Sequence, residues 1–329
     1  MIWIQFIISA VIVIAGGRQL VGYAELISDK HRLTRLWLGF ILLAGVTSIP
    51  ELGTAIGAVT IVKAPRLALG DVLGSNAFNI FIVPLIALAA GGLNILNGQN
   101  WKSCRNLIFF GCVMTLTAAG GIALARAGHT FTLGPVGLFA AVLLVLYLAA
   151  SISLYRGEHA GQEEPLPPGR DFPPAIYLKL GGAVLAVVGA GFWLSYSGNR
   201  IAEITGWGTT FVGALLLALV TSLPEVAVSL TAAKRGHSEM ALGNILGSNI
   251  FNLAILFWTD LAYGRRSLLA QGGNADLAAA ALGLLLTLAT GAGIFLGRSR
   301  PPKSSPWIPL LIAALYLGGM YCIFAYSSR

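Results

Sequence analysis

Charge is scarce in this sequence. Only 10% of its 329 residues are Asp, Glu, Lys or Arg, against about a quarter in a soluble domain. That leaves too little polar surface to cover a water-soluble globule. Cysteine is scarce as well, and Cys104, Cys112 and Cys322 fit neither a disulfide framework nor a metal-ligand spacing. The four histidines, His31, His129, His159 and His237, lie in loops or at the ends of apolar stretches. A membrane-buried hydrolase site would need such a base beside its acids, so an enzyme is not expected, and no cofactor is implied. The net charge of +8 does not signal nucleic acid, because the cations stand singly or in pairs rather than along one face.

Apolar sequence is abundant, at 56% of the chain. A membrane helix needs roughly 20 mostly apolar residues. Ten such stretches are expected, at about 2–26, 36–62, 66–91, 106–126, 132–155, 172–197, 207–233, 239–262, 274–297 and 306–326. The N-terminal stretch lacks a basic flank and a small-residue cleavage site, so it reads as a first span rather than a signal peptide. Trp3, Trp37, Trp101, Trp193, Trp207 and Trp307 fall near span ends, as an interfacial aromatic belt does. Loops after the odd-numbered spans carry about twelve Lys and Arg, and the opposite side about seven. By the positive-inside rule, both termini are expected outside a cell or bacterial inner membrane.

Residues 156–172 are polar and rich in proline and glycine, and are expected as a non-helical linker. They divide the chain into 1–155 and 173–329, five spans each. The halves carry matching blocks. Val46-Thr47-Ser48-Ile49-Pro50-Glu51 corresponds to Val220-Thr221-Ser222-Leu223-Pro224-Glu225, and Gly70 to Asn79 corresponds to Gly243 to Asn252. The offsets are 174 and 173 residues. An odd number of spans per half inserts the second copy from the opposite side, so the expected fold is all-α, ten transmembrane helices as two inverted five-helix repeats. Interrupted polar helices at corresponding places mark a midplane binding site. The fourth, fifth, ninth and tenth spans read as plain packing and lipid-facing helices.

The chemistry lies in the repeated blocks. Pro50 and Pro224 remove backbone donors and free the carbonyls of Val46 and Val220, which in lipid must find partners. Thr47 and Glu51, like Thr221 and Glu225, are four residues apart and share a helix face. Ser48 and Ser222 add a hydroxyl in each half. Gly70/Gly74 and Gly243/Gly247 permit close helix approach. Ser75 and Asn79, like Ser248 and Asn252, again share one face. These are hard oxygen donors, suited to Ca²⁺, Na⁺ or Mg²⁺ rather than zinc or copper. Two carboxylates about 6 Å apart repel by roughly 3 kcal/mol at an effective dielectric of 20. Such a pair is costly to leave uncompensated, and one Ca²⁺ or two monovalent ions balance it. That is the physical basis of obligatory exchange.

Plainer readings stand beside these. Back-bonding of Ser75 and Ser248 to helix carbonyls is the second, less favoured reading of those two serines. Asn76 and Asn249 fit helix packing as well as ion binding. Asp71 has Asn244 as its counterpart and reads chiefly as a helix-start carboxylate, with ion binding a secondary reading. Glu239 and Asp260 read as solvated span ends, and Glu25 and Glu203 as lying at the mouths of a pathway.

The two blocks resemble the α-repeats of the cation/Ca²⁺ exchanger superfamily, most closely its prokaryotic Na⁺/Ca²⁺ exchanger branch. The resemblance implies a ten-helix antiporter with outside termini. It implies ion ligands at Thr47, Ser48, Glu51, Ser75, Asn79, Thr221, Ser222, Glu225, Ser248 and Asn252, with backbone carbonyl ligands near Ala44 and Ala218. Several Na⁺-driven relatives carry Asp at the place of Asn252, so this site has two repeated carboxylates rather than three. The proton-driven branch also tends to have amides there, but reads Gly-Asn-x-x-Glu before its glutamate. Expected, then, is a monomeric antiporter in the lipid bilayer exchanging Ca²⁺ for Na⁺. A Ca²⁺/H⁺ or other cation/H⁺ antiporter is the alternative, and a channel a further one.

Overall fold

The computed structural model describes residues 1–31, 43–89, 101–159, 175–265, 267–297 and 307–327. The chain is built almost wholly of helices: α1 Ile2–His31, α2 Ala44–Thr47, α3 Ile49–Gly57, α4 Pro65–Ala89, α5 Trp101–Arg126, α6 Leu138–His159, α7 Ala175–Thr205, α8 Thr209–Val212, α9 Ala218–Thr221, α10 Leu223–Lys234, α11 Ser238–Tyr263, α12 Asn274–Gly297 and α13 Trp307–Ser327. Two π-helical turns, Ala58–Val62 and Gly213–Leu217, extend α3 and join α8 to α9. Among the described residues eight helices are long and apolar enough to cross a membrane. They become nine if Thr209–Thr221 and Leu223–Lys234, bent by 46°, count as one span. The remaining expected span is α6, whose described apolar stretch, Leu138–Leu154, is shorter than a full crossing. Full-length spans among these residues therefore number eight or nine rather than ten.

Several boundaries differ from expectation for local reasons. Span five begins at Leu138 and not 132, because Thr132–Leu133 and Val136–Gly137 form a two-stranded antiparallel hairpin turning at Gly134, whose φ is +61°. The expected linker starts later than 156, since α6 continues through His159; residues 160–172 lie outside the described residues. Span six runs on to Thr205 instead of 197. Its polar end stays helical through pairing within the helix: Asn199 Nδ2 donates to Glu203 Oε1 at 2.8 Å, and Arg200 pairs with the same carboxylate. Residues 36–42 of the second expected span are outside the described set.

Burial sorts the helices into layers. Over an 18-residue apolar stretch within the spans Pro65–Ile86 and Met240–Tyr263, 89% and 83% of residues are buried, against 22% within Ala175–Thr205 and 28% within Ile308–Ser327. Helices α4 and α11 therefore form the centre. Helices α7 and α13 present apolar side chains outward, among them Leu178, Leu185 and Tyr321, as lipid contact requires.

Close backbone approach sets the central packing. A Cβ at Gly70 would lie 2.3 Å from the Thr210 carbonyl oxygen, and one at Gly74 2.3 Å from Ala214 Cα. The small-residue face of α4 thus packs on α8 and the π turn that follows it, from the other half of the chain. Helix α1 packs along α7. Helix α7 meets α3 through Gly53, Gly57 and Gly191; an added Cβ at Gly191 would sit 2.9 Å from the Thr54 amide nitrogen.

Candidate functional site

Each repeated Thr-Ser-x-Pro-Glu block breaks its helix at the same residue. Ser48 has φ −88° and ψ 8°, and Ser222 has φ −85° and ψ 4°. A proline two residues later cannot donate to the preceding turn, so the chain steps at the serine and restarts as α3 or α10 with proline in its first turn. The glutamate follows at once, in the first turn, where the helix dipole favours an anion.

The two blocks interlock across the halves. Ser48 Oγ donates to Glu225 Oε1 at 3.2 Å, and Ser222 Oγ donates to Glu51 Oε1 at 3.1 Å. The hydroxyls of Thr47 and Ser248 lie 3.4 Å apart, and those of Ser75 and Thr221 3.5 Å apart. All eight residues are fully buried, as are Asn79 and Asn252. The structure therefore joins eight of the ten side chains singled out from the sequence in pairs across the halves, each glutamate held by a serine of the opposite half, while Asn79 and Asn252 lie buried one turn beyond Ser75 and Ser248 on the same helices. Ser75 and Ser248 face the other half's threonine, so the back-bonding reading is not what positions them.

What these groups leave unsatisfied is informative. Buried polar atoms without a partner are costly and rare. Glu51 Oε2, Glu225 Oε2 and both side-chain polar atoms of Asn79 and of Asn252 have none. The other buried acids give a contrast. Asp260 accepts Gly137 N at 2.6 Å on one oxygen and Leu268 N on the other. Asp276 accepts Gly273 N at 2.7 Å and the Thr210 hydroxyl at 3.2 Å. Those two carboxylates are structural staples with both oxygens engaged. Asp260 is thus buried and bonded, not solvated as its place near a span end suggested. Glu203 is exposed and paired with Arg200; the side chains of Glu25 and Glu239 lie outside the described residues.

Asp71 also departs from its expected place. It is the seventh residue of α4, well past the first turn, fully buried, and accepts the Thr54 hydroxyl on Oδ2. Its Oδ1 has no partner. With Ser75 and Asn79 it forms a stripe at i, i+4 and i+8. Asn244, its counterpart on α11, donates to Ser229 Oγ at 3.0 Å.

The remaining candidates are placed less simply. The Ala44 carbonyl accepts Ser48 N at 3.1 Å and the Thr47 hydroxyl at 3.3 Å. The Ala218 carbonyl accepts Ser222 N at 3.1 Å and the Thr221 hydroxyl at 3.5 Å. Both oxygens are already engaged by their own helices. Asn76 and Asn249 form a reciprocal cross: Asn76 Nδ2 donates to the Asn249 carbonyl at 3.2 Å, and Asn249 Nδ2 to the Asn76 carbonyl at 3.0 Å. Packing explains them. Among the described residues no group of three His, Cys, Asp or Glu comes together as a metal cluster. A cation here would rest on two carboxylates completed by hydroxyl and amide oxygens, the donor set of hard ions.

Comparison with known proteins bears on the chain as a whole. The family described as sodium/calcium exchanger protein matches residues 1–156 and 176–325. The putative antiporter CaxA of Alkalimonas amylolytica is 29% identical over 97% of this chain and 97% of its own length. The sodium/calcium exchanger MaX1 of Methanosarcina acetivorans is 26% identical over 78% of this chain and 82% of its own. In fold, the sodium-calcium exchanger NCX_Mj superposes with a TM-score of 0.63 at 22% identity over 98% of this chain and 99% of its own. YfkE superposes with 0.65 at 18% identity over 97% and 91%.

Proposed function

The chain belongs to the sodium/calcium exchanger protein family of membrane ion exchangers, and from that premise we propose that it exchanges Ca²⁺ for Na⁺ at the site around Glu51 and Glu225. The observation that carries this reading is the orphaned oxygen on each of these two glutamates, beside wholly unpartnered Asn79 and Asn252. Asp260 and Asp276, which serve the fold, keep no free oxygen. Two carboxylates, six hydroxyls and two amides form an oxygen shell whose fixed charge one divalent cation or two monovalent cations neutralise.

Exchange follows from the cost of the uncompensated pair. Two buried like charges resist being left without a counter-ion, so one cation species leaves as another arrives. Each glutamate is held by the opposite half, so a cation bridging Glu51 and Glu225 also bridges 1–155 and 173–329. We read these as two inverted five-helix repeats, with 156–172 between them. Helices α1 and α7, paired with each other and resting on the core through glycines, are the pair suited to slide and give alternating access from either side. Asp71 adds a third buried carboxylate behind Thr54, one turn before Ser75. The matching position of the second half, Asn244, is an amide.

Ca²⁺ uptake into proteoliposomes tests the reading. A Na⁺ gradient at constant pH is expected to drive uptake, and Glu51→Gln and Glu225→Gln to abolish it. Intact uptake in both variants removes the site assignment. Uptake driven by a pH gradient alone, with no response to Na⁺, makes the chain a cation/H⁺ antiporter instead.

A further inference from the structure

Behind the ion site lies a cavity of about 10 Å³ lined by Asn76, Asn249, Gly111, Thr115, Gly283 and Thr287, among other residues. These six come in matched pairs. Gly111 and Gly283, like Thr115 and Thr287, are 172 residues apart, and Asn76 and Asn249 are 173 apart. Helices α5 and α12 therefore carry a second repeated element, Gly-x-x-x-Thr, and the cavity sits where the two halves meet.

The polar atoms around it are arranged for one guest. Each asparagine gives an N–H to the other's backbone carbonyl, which fixes its amide orientation and leaves Oδ1 as the other side-chain atom. Both Oδ1 atoms lack a partner, although Asn76 and Asn249 are only 4% and 5% exposed. Thr115 and Thr287 donate their protons to the Gly111 and Gly283 carbonyls at 2.8 and 2.7 Å, so their hydroxyls offer lone pairs only. We infer that this cavity is a binding site for a single water molecule, which donates one hydrogen to each orphaned asparagine oxygen and ties α4 to α11. The volume is that of about one water-sized sphere, and buried waters commonly satisfy two to four such groups. Neutral oxygens without a carboxylate offer poor compensation for a cation's desolvation, which favours water over a second ion.

The consequence for function, resting on the exchange reading above, is positional. Asn76 adjoins Ser75, and Asn249 adjoins Ser248. The water and the asparagine cross hold the two ligand-bearing helices in register while other helices move. The glycines keep the space open: a Cβ at Gly283 would lie 3.9 Å from Asn76 Cβ, and one at Gly111 4.0 Å from Thr287 Cγ2. Alanine thus fits sterically and takes the guest's room.

The test uses the full chain. A high-resolution map is expected to show one peak within hydrogen-bonding distance of both Oδ1 atoms, without anomalous signal after Na⁺ is replaced by Tl⁺. No peak, or a Tl⁺ signal there, overturns the inference. Thermal unfolding of the Gly111→Ala/Gly283→Ala variant gives an independent answer. Displacing a bound water leaves two amide oxygens unpaired and lowers Tm, whereas filling a dry cavity and raising helix propensity raises it. A raised Tm overturns the inference. With the water displaced, the KM for Ca²⁺ in that variant is expected to rise several-fold. Map and melting curve read no transport, so they stand or fall separately from the exchange assignment.

Discussion

In the first half, Asp71 lies one turn before Ser75 and two before Asn79 on α4, and accepts the Thr54 hydroxyl. In the second half, Asn244 occupies the matching place on α11 and donates to Ser229. One turn further on, the halves are copies: serine to the opposite glutamate at 3.2 and 3.1 Å, threonine beside the opposite serine at 3.4 and 3.5 Å. Symmetry is thus kept where the glutamates sit and broken behind them. An acid in one half and an amide in the other make the surroundings of the symmetric pair unequal.

The comparison is broken most severely at its symmetric centre. Glu51→Gln and Glu225→Gln are each expected to lower Ca²⁺ exchange by about 100-fold or more, since each removes half of the paired charge; about 1.4 kcal/mol corresponds to each factor of ten. A variant with near-normal flux would show that one half alone binds the ion. The asymmetric position comes next. Asp71→Asn is expected to weaken apparent cation affinity on the order of tenfold, and Asn244→Asp to strengthen it, as one buried charge acting at a distance does. Ion-concentration dependence of flux reads both, and a shift of the same sign in the two variants contradicts the charge argument.

Equal effects are expected from the mirrored serines. Ser48→Ala and Ser222→Ala each remove one hydrogen bond to a glutamate, about 1.5–3 kcal/mol, and should raise the KM for Ca²⁺ by roughly tenfold to the same degree. Unequal losses would mean that the two crossings are not equivalent. Smallest is Ser195→Ala. Ser195 Oγ donates to the Thr54 carbonyl at 2.6 Å, linking α7 to the core. Its loss, about 1 kcal/mol, should change turnover a few-fold and leave the KM for Ca²⁺ unchanged.

Much of this site was legible in the sequence, because two copies of one chemistry at a fixed offset stand out from apolar surroundings. The ten repeated side chains could be named from Thr-Ser-x-Pro-Glu and Gly-x-x-x-Gly-Ser-Asn-x-x-Asn alone. Their pairing could not, since nothing local says that Ser222 reaches Glu51 and not Glu225. Asp71 was read as a helix-start carboxylate because it lies only five residues past the expected span start at 66; its burial and its bond to Thr54 come from the packing of α3 on α4, which the local sequence does not show. Asp260 misled because a carboxylate at an apolar run's edge looks solvated; its partners, Gly137 and Leu268, come from the hairpin before α6 and the connection after α11. The Gly-x-x-x-Thr pairs of α5 and α12 carried a usable signal, the 172-residue offset. Single threonines that bond back to their own helix are so ordinary that neither helix looked marked.

Ca²⁺ flux in proteoliposomes, with a Na⁺ gradient on one arm and a pH gradient on the other, tests the central claim most directly. Wild-type protein is expected to accumulate Ca²⁺ on the Na⁺ arm, and Glu51→Gln and Glu225→Gln to accumulate none. Accumulation that survives both substitutions, or that never responds to Na⁺, contradicts the account.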